Sequence, residues 1–526
     1  MRRFWGAVLG ACVWAGCSTE DSAGPTTEVE VPESPVSEVT PPPQVPPGGT
    51  GGPVMEPDPL PQQPPTEEPP PNPRPPPAPA CSGPDGTARL AWSYDAAWDQ
   101  TMDFRGTMDA DGHVYWTECE SAYWSDKDPG QRPCQLVSAS REGAIRYRLA
   151  LPNDSQPAVH AVDAERFYMT SAGTLLSSRA REDGRELWAV DLRKLHDDPP
   201  EVSRSRSIAS LALSPPHILA VVRDSYEQAE GTSVLVALRA DTGTVAWKVL
   251  APPMGTPVVV DAEGNSYGGA FDARTRQTTL FSYTADGKPR WTARRSGERR
   301  PTAVDGGKLV LERAEVADAA TGAPLATLAT APTDDTYFHD GISNSPFGRV
   351  AFQAGGMLVL PYLPCTGEGC PTTLHPGRTF LYGLSPEDGS LRWHRAVGAW
   401  PMAPLLTRRD TLLLVDRPPS EGCEEMNACT GDDSHYESVL RELDVDDGKE
   451  LVACKLPGRA PYITPPALHR GRVVMGAWTN YLASNDWTRR LSIRAFDLSV
   501  PTEAASSGWV TAGGGTTRSG TPGTKP

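Results

Sequence analysis

The chain has 526 residues, a net charge of −17, 38% hydrophobic residues, 55 prolines and 49 glycines. A net acidic chain without a dense Lys/Arg stripe argues against nucleic acid as a partner, because contacts to phosphate supply most of that affinity. Proline is unevenly spread, with 22 of the 55 between Asp21 and Ala80, so length alone overstates how much of the chain can build a core.

The first 17 residues read as an export signal. Arg2 and Arg3 form a charged n-region, Phe4 to Val13 a short apolar run, and Ala15-Gly16-Cys17 a small-residue processing site. The run is too short to span a bilayer. Trp14-Ala15-Gly16-Cys17 resembles a bacterial lipobox, with Trp14 where Leu is usual, which implies lipidation at Cys17. Leu9-Gly10-Ala11-Cys12 also matches the pattern but leaves an apolar run of barely two helical turns. A plain cleaved signal on a secreted protein is the alternative. With Cys17 as first residue, Cys81, Cys119, Cys134, Cys365, Cys370, Cys423, Cys429 and Cys454 remain. That even set suits disulfides in an oxidising compartment. By resemblance to lipoprotein sorting, Ser18 in place of Asp implies the outer membrane, on its periplasmic or surface side.

Residues 18–80 follow as a Pro-rich acidic linker. From Asp21 to Ala80 nine acidic residues face Arg74 alone, so nearly half of the net charge belongs to the linker, and large apolar side chains are too few to offset the ordering entropy. Fully extended as polyproline II, Asp21 to Ala80 would reach about 190 Å at about 3.1 Å per residue.

From Cys81 onward the pattern is all-β: short runs of Val, Leu, Tyr and Trp broken by Asp-Gly, Gly-Gly and Thr-Gly turns. One unit runs from Leu235 through Asp241-Thr-Gly243 to Trp247, with the Trp four residues after the Gly. The offset recurs from Gly184 to Trp188, Gly287 to Trp291 and Gly389 to Trp393. Weaker copies place Tyr147 after Gly143, Ala326 after Gly322 and Val452 after Gly448, and an eighth, with a longer turn, leads to Trp92. Strand-like hairpins such as Thr256 to Gly269 separate the copies, so each unit reads as a four-stranded blade that must stack on its neighbours to bury both faces. The expected fold is a single β-propeller over 81–500, with eight blades and seven also compatible, its last blade completed by the N-terminal strand bearing Trp92. Trp92, Tyr147, Trp188, Trp247, Trp291 and Trp393 are expected to pack blade on blade.

This unit resembles the repeat of the PQQ-like, or quinoprotein alcohol dehydrogenase-like, β-propellers, which share blade architecture with WD40 and YVTN repeats. Gly508-Trp509 to Gly520, within a C-terminal segment 501–526, resembles the Trp/Gly-rich element flanking such propellers. The resemblance implies two kinds of activity. Its enzymes are quinone-dependent dehydrogenases with a catalytic Asp, a calcium held by Glu and Asn, a stacked Trp and commonly a vicinal disulfide. No adjacent cysteines occur in the sequence, and the ligands map onto no matching motif. Its non-enzymatic members include the lipoprotein of the outer-membrane β-barrel assembly machinery.

Cys119 and Cys134, Cys365 and Cys370, and Cys423 and Cys429 each fall between the second and third strands of a blade, where they would staple long loops on one face. Cys81 and Cys454 are left as a ring-closing pair. Asp444 to Gly448 coincides with the repeat's own turn and lacks a bidentate Glu, so it reads as a turn. Asp432 and Asp433 are the candidates for a surface Ca²⁺. The cluster Arg294, Arg295, Arg299 and Arg300 reads as a solvated loop after Trp291. No catalytic or cofactor-binding residue is assigned. The expectation is a monomeric, non-enzymatic envelope lipoprotein that touches the membrane through its lipid and serves as a protein-binding scaffold. The alternatives are a binder of envelope polysaccharide or cell-wall polymer, and a quinone-dependent dehydrogenase.

Overall fold

The computed structural model describes residues 81–504, apart from a few short gaps and the connecting stretches 121–131, 152–156, 196–205, 225–232, 253–257, 328–350, 353–357, 363–378, 398–403, 417–436, 458–463 and 480–489. These residues belong to one compact unit. The export signal and linker, Cys17, Cys365, Cys370, Cys423, Cys429, Asp432, Asp433 and the tail from 505 lie outside the described residues.

Strand β1 (Arg89–Asp95) comes first, seven groups of four follow, and a group of three ends the order. They are β2 (Gln100–Asp103), β3 (Val114–Glu120), β4 (Cys134–Ala139) and β5 (Ile145–Leu151), then β6 (Ala158–Val162), β7 (Arg166–Ser171), β8 (Leu175–Ala180) and β9 (Glu186–Asp191). Next come β10 (Arg206–Ser214), β11 (His217–Asp224), β12 (Ser233–Arg239) and β13 (Val245–Ala251), then β14 (Val259–Val260), β15 (Ser266–Asp272), β16 (Gln277–Tyr283) and β17 (Pro289–Ser296). After these lie β18 (Pro301–Asp305), β19 (Lys308–Leu311), β20 (Glu315–Asp318) and β21 (Pro324–Thr327), then β22 (Ala351–Phe352), β23 (Leu358–Tyr362), β24 (Thr379–Leu384) and β25 (Leu391–Val397). The last are β26 (Leu405–Leu406), β27 (Thr411–Asp416), β28 (Val439–Asp444) and β29 (Glu450–Lys455), then β30 (Ala467–His469), β31 (Arg472–Thr479) and β32 (Arg490–Asp497).

Among the described residues these strands form eight four-stranded antiparallel sheets. Seven are consecutive meanders, and the eighth runs β1-β32-β31-β30, with Arg89 paired to Asp497 and Asp95 to Ser492. First strands of successive sheets touch, β6 against β10, β10 against β14, β14 against β18 and β18 against β22. Sheets stacked around their inner strands in this way make a β-propeller. Middle strands are covered on both faces, so Val234 to Leu238 and Leu412 to Val415 are buried without interruption. Outer strands alternate, as in β13 and β29.

One irregularity recurs in every sheet. The register shifts just before the residue at the aromatic position of the outer strand, between Trp92 and Leu90, Tyr147 and Ile145, Trp188 and Glu186, Trp247 and Val245, Trp291 and Pro289, Ala326 and Pro324, Trp393 and Leu391, and Val452 and Glu450. Such a bulge adds one residue to the outer strand and re-aims the side chain that follows. Ala326 and Val452 therefore keep the backbone of the repeat without its ring.

Candidate functional surface

The aromatic residues meet the turns of the next sheet. Trp92 lies on Gly143, Trp188 on Gly243, Trp247 on Gly287, Trp291 on Gly322 and Trp393 on Gly448, and a Cβ on any of these glycines would fall 2.5–2.7 Å from the indole. Each glycine also has positive φ, between 66° and 86°, which disfavours any L side chain. Each indole Nε1 donates to a backbone carbonyl of the same turn: Trp92 to Arg141 (2.8 Å), Trp188 to Ala240 (3.0 Å), Trp247 to Ala285 (2.8 Å), Trp291 to Ala319 (3.0 Å) and Trp393 to Val445 (2.8 Å). Tyr147 lies on Gly184, and its hydroxyl donates to Arg181 O at 3.2 Å.

A second device repeats in the hairpin between first and second strands. Asp109, Asp163 and Asp261 accept backbone N–H groups of their own turns through one oxygen. Through the other they accept the hydroxyls of Tyr115 (2.7 Å), Tyr168 (2.5 Å) and Tyr267 (2.6 Å). Burial, then the facing aspartate, pushes all three tyrosines above the usual phenol range. Asp109 is 3% exposed, also bonds His113 Nδ1 (2.9 Å) and is ion-paired with Arg181, whose Nε lies 3.0 Å away. Burial would raise its carboxyl, but the Tyr115 hydroxyl, the His113 amide and the charges of His113 and Arg181 hold it below the usual range. Asp109, Asp111 and His113 bring potential metal-ligand atoms within 4.8 Å of one another. Arg181 already spans Asp109 and Asp111, so the carboxylates serve a cation of the protein itself.

The arginine cluster is not the solvated loop that sequence implied. Arg294 and Arg295 belong to β17, and Glu315 takes Arg295 Nε at 2.8 Å and Arg299 Nε at 3.1 Å, while Arg300 pairs with Glu298 and Glu312. Glu298 lies within the cluster, but Glu312 and Glu315 follow beside and in β20, too far along the chain for local sequence to pair them. Asp444 to Gly448 is a turn closed by Asp446 N on Asp444 Oδ1 and Gly448 N on Asp444 O.

The antiparallel order divides the domain into two faces. Among the described residues, connections between first and second strands and between third and fourth strands are short turns on one face, and it is these that hold the aromatic and aspartate devices. The remaining connections leave from the other face, and they include the stretches 121–131, 225–232, 363–378, 417–436 and 480–489. Cys119 and Cys134 are opposite one another in β3 and β4 and are disulfide-bonded at the mouth of 121–131. Beside them Glu118 is buried and accepts Trp116 Nε1 and Gln135 Nε2, both at 2.7 Å. Arg148 lies over the Tyr94 ring and donates to its hydroxyl. The disulfide Cys81–Cys454 joins the segment before β1 to β29. Among the described residues no helix is long and apolar enough to cross a membrane.

Residues 230–402 match the family model described as outer membrane protein assembly factor BamB. No curated protein matches the sequence. BamB from Moraxella catarrhalis is similar in structure, at 12% identity and a TM-score of 0.42, covering 78% of this chain and 100% of that one. A europium-containing methanol dehydrogenase gives 13% identity and 0.46, covering 78% and 93%, and the C-terminal WD40 domain of Sif2 gives 10% and 0.45, covering 78% and 98%. With eight four-stranded sheets, each carrying the bulge and most of them docking a ring on the next, the chain is a β-propeller, and its residues 230–402 are similar to the PQQ-like repeat family.

Proposed function

We propose that this protein is a non-enzymatic scaffold of the bacterial envelope, a monomer anchored by lipid at Cys17 and held clear of the membrane by the linker 18–80, whose loop-bearing face binds a partner protein. The observation behind this is the division of labour between the faces. On the turn face the repeat's tryptophans and Tyr147 are occupied in holding sheet to sheet, and the aspartates and their tyrosine partners in bracing the hairpins, with hydrogen bonds of 2.5–3.2 Å. The other face carries connections that differ in length and sequence from sheet to sheet. Individually shaped loops on a rigid frame are how many propellers and barrels present binding residues. The family match to an assembly factor points the same way. No cofactor is assigned, and Asp432 and Asp433 remain the candidates for a surface Ca²⁺.

The test is affinity capture of tagged protein from crosslinked, detergent-solubilised envelopes of its own cells, beside a Cys17→Ala copy. One envelope protein enriched with the wild type, and loss of the Cys17→Ala copy from the membrane fraction, are expected. Retention on cell-wall polymer without an enriched protein would contradict the scaffold, as would dye reduction that requires added quinone and Ca²⁺. A Cys17→Ala copy that stays in the membrane would contradict the anchor.

A further inference from the structure

Six seams between neighbouring sheets carry an aromatic ring on a positive-φ glycine. At two the ring is missing. Ala326 stands in its place in β21, and at that seam Lys308 reaches Glu387 at 3.5 Å. Val452 stands in its place in β29, which faces the sheet that closes the ring. There the other half of the pair is missing too: counting back four residues from Trp92 reaches Ala88, buried at 3% exposure, where other outer strands are preceded by glycine.

A different set of bonds occupies this seam. Cys81 and Cys454 are disulfide-bonded across 373 residues of sequence. Ala88 N–H donates to Lys455 O at 2.8 Å, and Thr87 pairs with Lys455 in parallel. Ser82 Oγ donates to Asp497 O at 2.6 Å and accepts Arg89 N–H at 3.0 Å, tying the same segment to β32. Cys81 and Val452 pack against a buried cluster that includes Ala88, Cys454 and Trp393.

Strand β1 differs from the other seven outer strands in how it is attached. Each of those is joined to its third strand by a tight turn, whereas β1 reaches β32 from the opposite end of the domain. Its pairing alone therefore meets the entropy of closing a loop that contains the whole ring. A covalent bond across that loop removes most of this cost from the closing step.

We propose that the Cys81–Cys454 disulfide is a redox-sensitive strap: it stands in for both the missing turn and the missing aromatic pair, and its reduction releases β1 and opens the ring at this seam alone. A dithiol supplies the two electrons. One thiolate attacks the disulfide, freeing one cysteine as thiolate and forming a mixed disulfide. The second thiolate displaces the other cysteine as the dithiol closes to a cyclic disulfide, and both cysteines end as thiols with the dithiol's protons.

The experiment is hydrogen exchange, read on peptides covering β1 and on β14–β17 as an internal reference. Oxidised wild type, wild type in dithiothreitol, a Cys81→Ser/Cys454→Ser variant and a Cys119→Ser/Cys134→Ser variant are compared. Exchange in β1 should rise at least about tenfold in dithiothreitol and in the first variant, stay at the wild-type level in the second, and leave β14–β17 protected throughout. If the first variant fails to fold, stepwise dithiothreitol on folded wild type decides, with β1 losing protection before β14–β17. The proposal is overturned if β1 stays protected without the bond, or if β1 and β14–β17 lose protection together.

Discussion

At Trp247 the repeat joins three requirements in one residue: a ring to cover the next turn, an N–H that finds the Ala285 carbonyl, and a glycine opposite that leaves room for the ring. Trp247→Ala should cost about 3 kcal/mol in equilibrium urea unfolding, as large-to-small aromatic losses do. Trp247→Phe, which keeps a ring and loses the hydrogen bond, should cost about 1 kcal/mol. Gly287→Ala should cost as much as Trp247→Ala, because the methyl meets the indole at 2.6 Å and φ is 80°. The double variant Trp247→Ala/Gly287→Ala should be less destabilised than the sum, since the two act on one contact. Strict additivity would mean that they do not.

Two titratable groups contribute to the acid response. Asp109 is held below its ordinary value of 3.8, so its contribution is present above that value and fades as pH falls through it and below. Asp109→Asn should lose about 3 kcal/mol at pH 7, as expected when one partner of a buried ion pair is removed, and should show a flatter stability curve in that acid range. His160 bonds Thr170 Oγ1 at 2.8 Å, and desolvation, then the charge of Arg105, holds it well below the ordinary 6.5. The unfolded chain then binds a proton that the folded chain refuses, so stability declines as pH drops below 6.5. His160→Gln should remove that decline in thermal scans between pH 7 and 5. An unchanged slope would assign it to another group.

Among the elements, the outer strand carries most of the specificity. All eight outer strands share the bulge before the aromatic position, even where the residue is Ala326 or Val452. Deleting Ala246, the extra residue of β13, would remove the local twist that aims Trp247. That deletion should cost at least as much as Trp247→Ala, with a change in tryptophan emission; a cost below about 1 kcal/mol would show the bulge to be incidental. The Gly-to-Trp spacing was legible in sequence because turn and ring lie four residues apart. The bulge was not, since an extra residue beside a turn leaves no mark in an alternating pattern. Tyr267 was not legible as the partner of Asp261, a contact across the hairpin. The arginines in and after β17 were misjudged because Glu315 lies 16 and 20 residues from Arg299 and Arg295. The Cys81–Cys454 pair was legible from cysteine parity and from Trp92 sitting on a strand with no blade before it.

Across the whole molecule the exposed large apolar side chains of the described residues, Leu90, Ile145, Leu187, Val245, Leu250, Leu325, Leu391 and Leu451, all lie on outer strands. Those edges also carry Arg148, Lys248, Arg294 and Lys455, charges that discourage pairing with another edge. On the proposed reading, recognition falls to the loop-bearing face. The most direct measurement is site-specific photo-crosslinking in living cells. A crosslinking amino acid is placed at Leu250 or Lys455, at strand ends on the loop side, and at Glu142 or Asp286, in turns of the opposite face. Crosslinks to one envelope protein from the loop-side positions and none from the turns are predicted. Crosslinks from Glu142 and Asp286 with none from the loop side would contradict the assignment of the binding face.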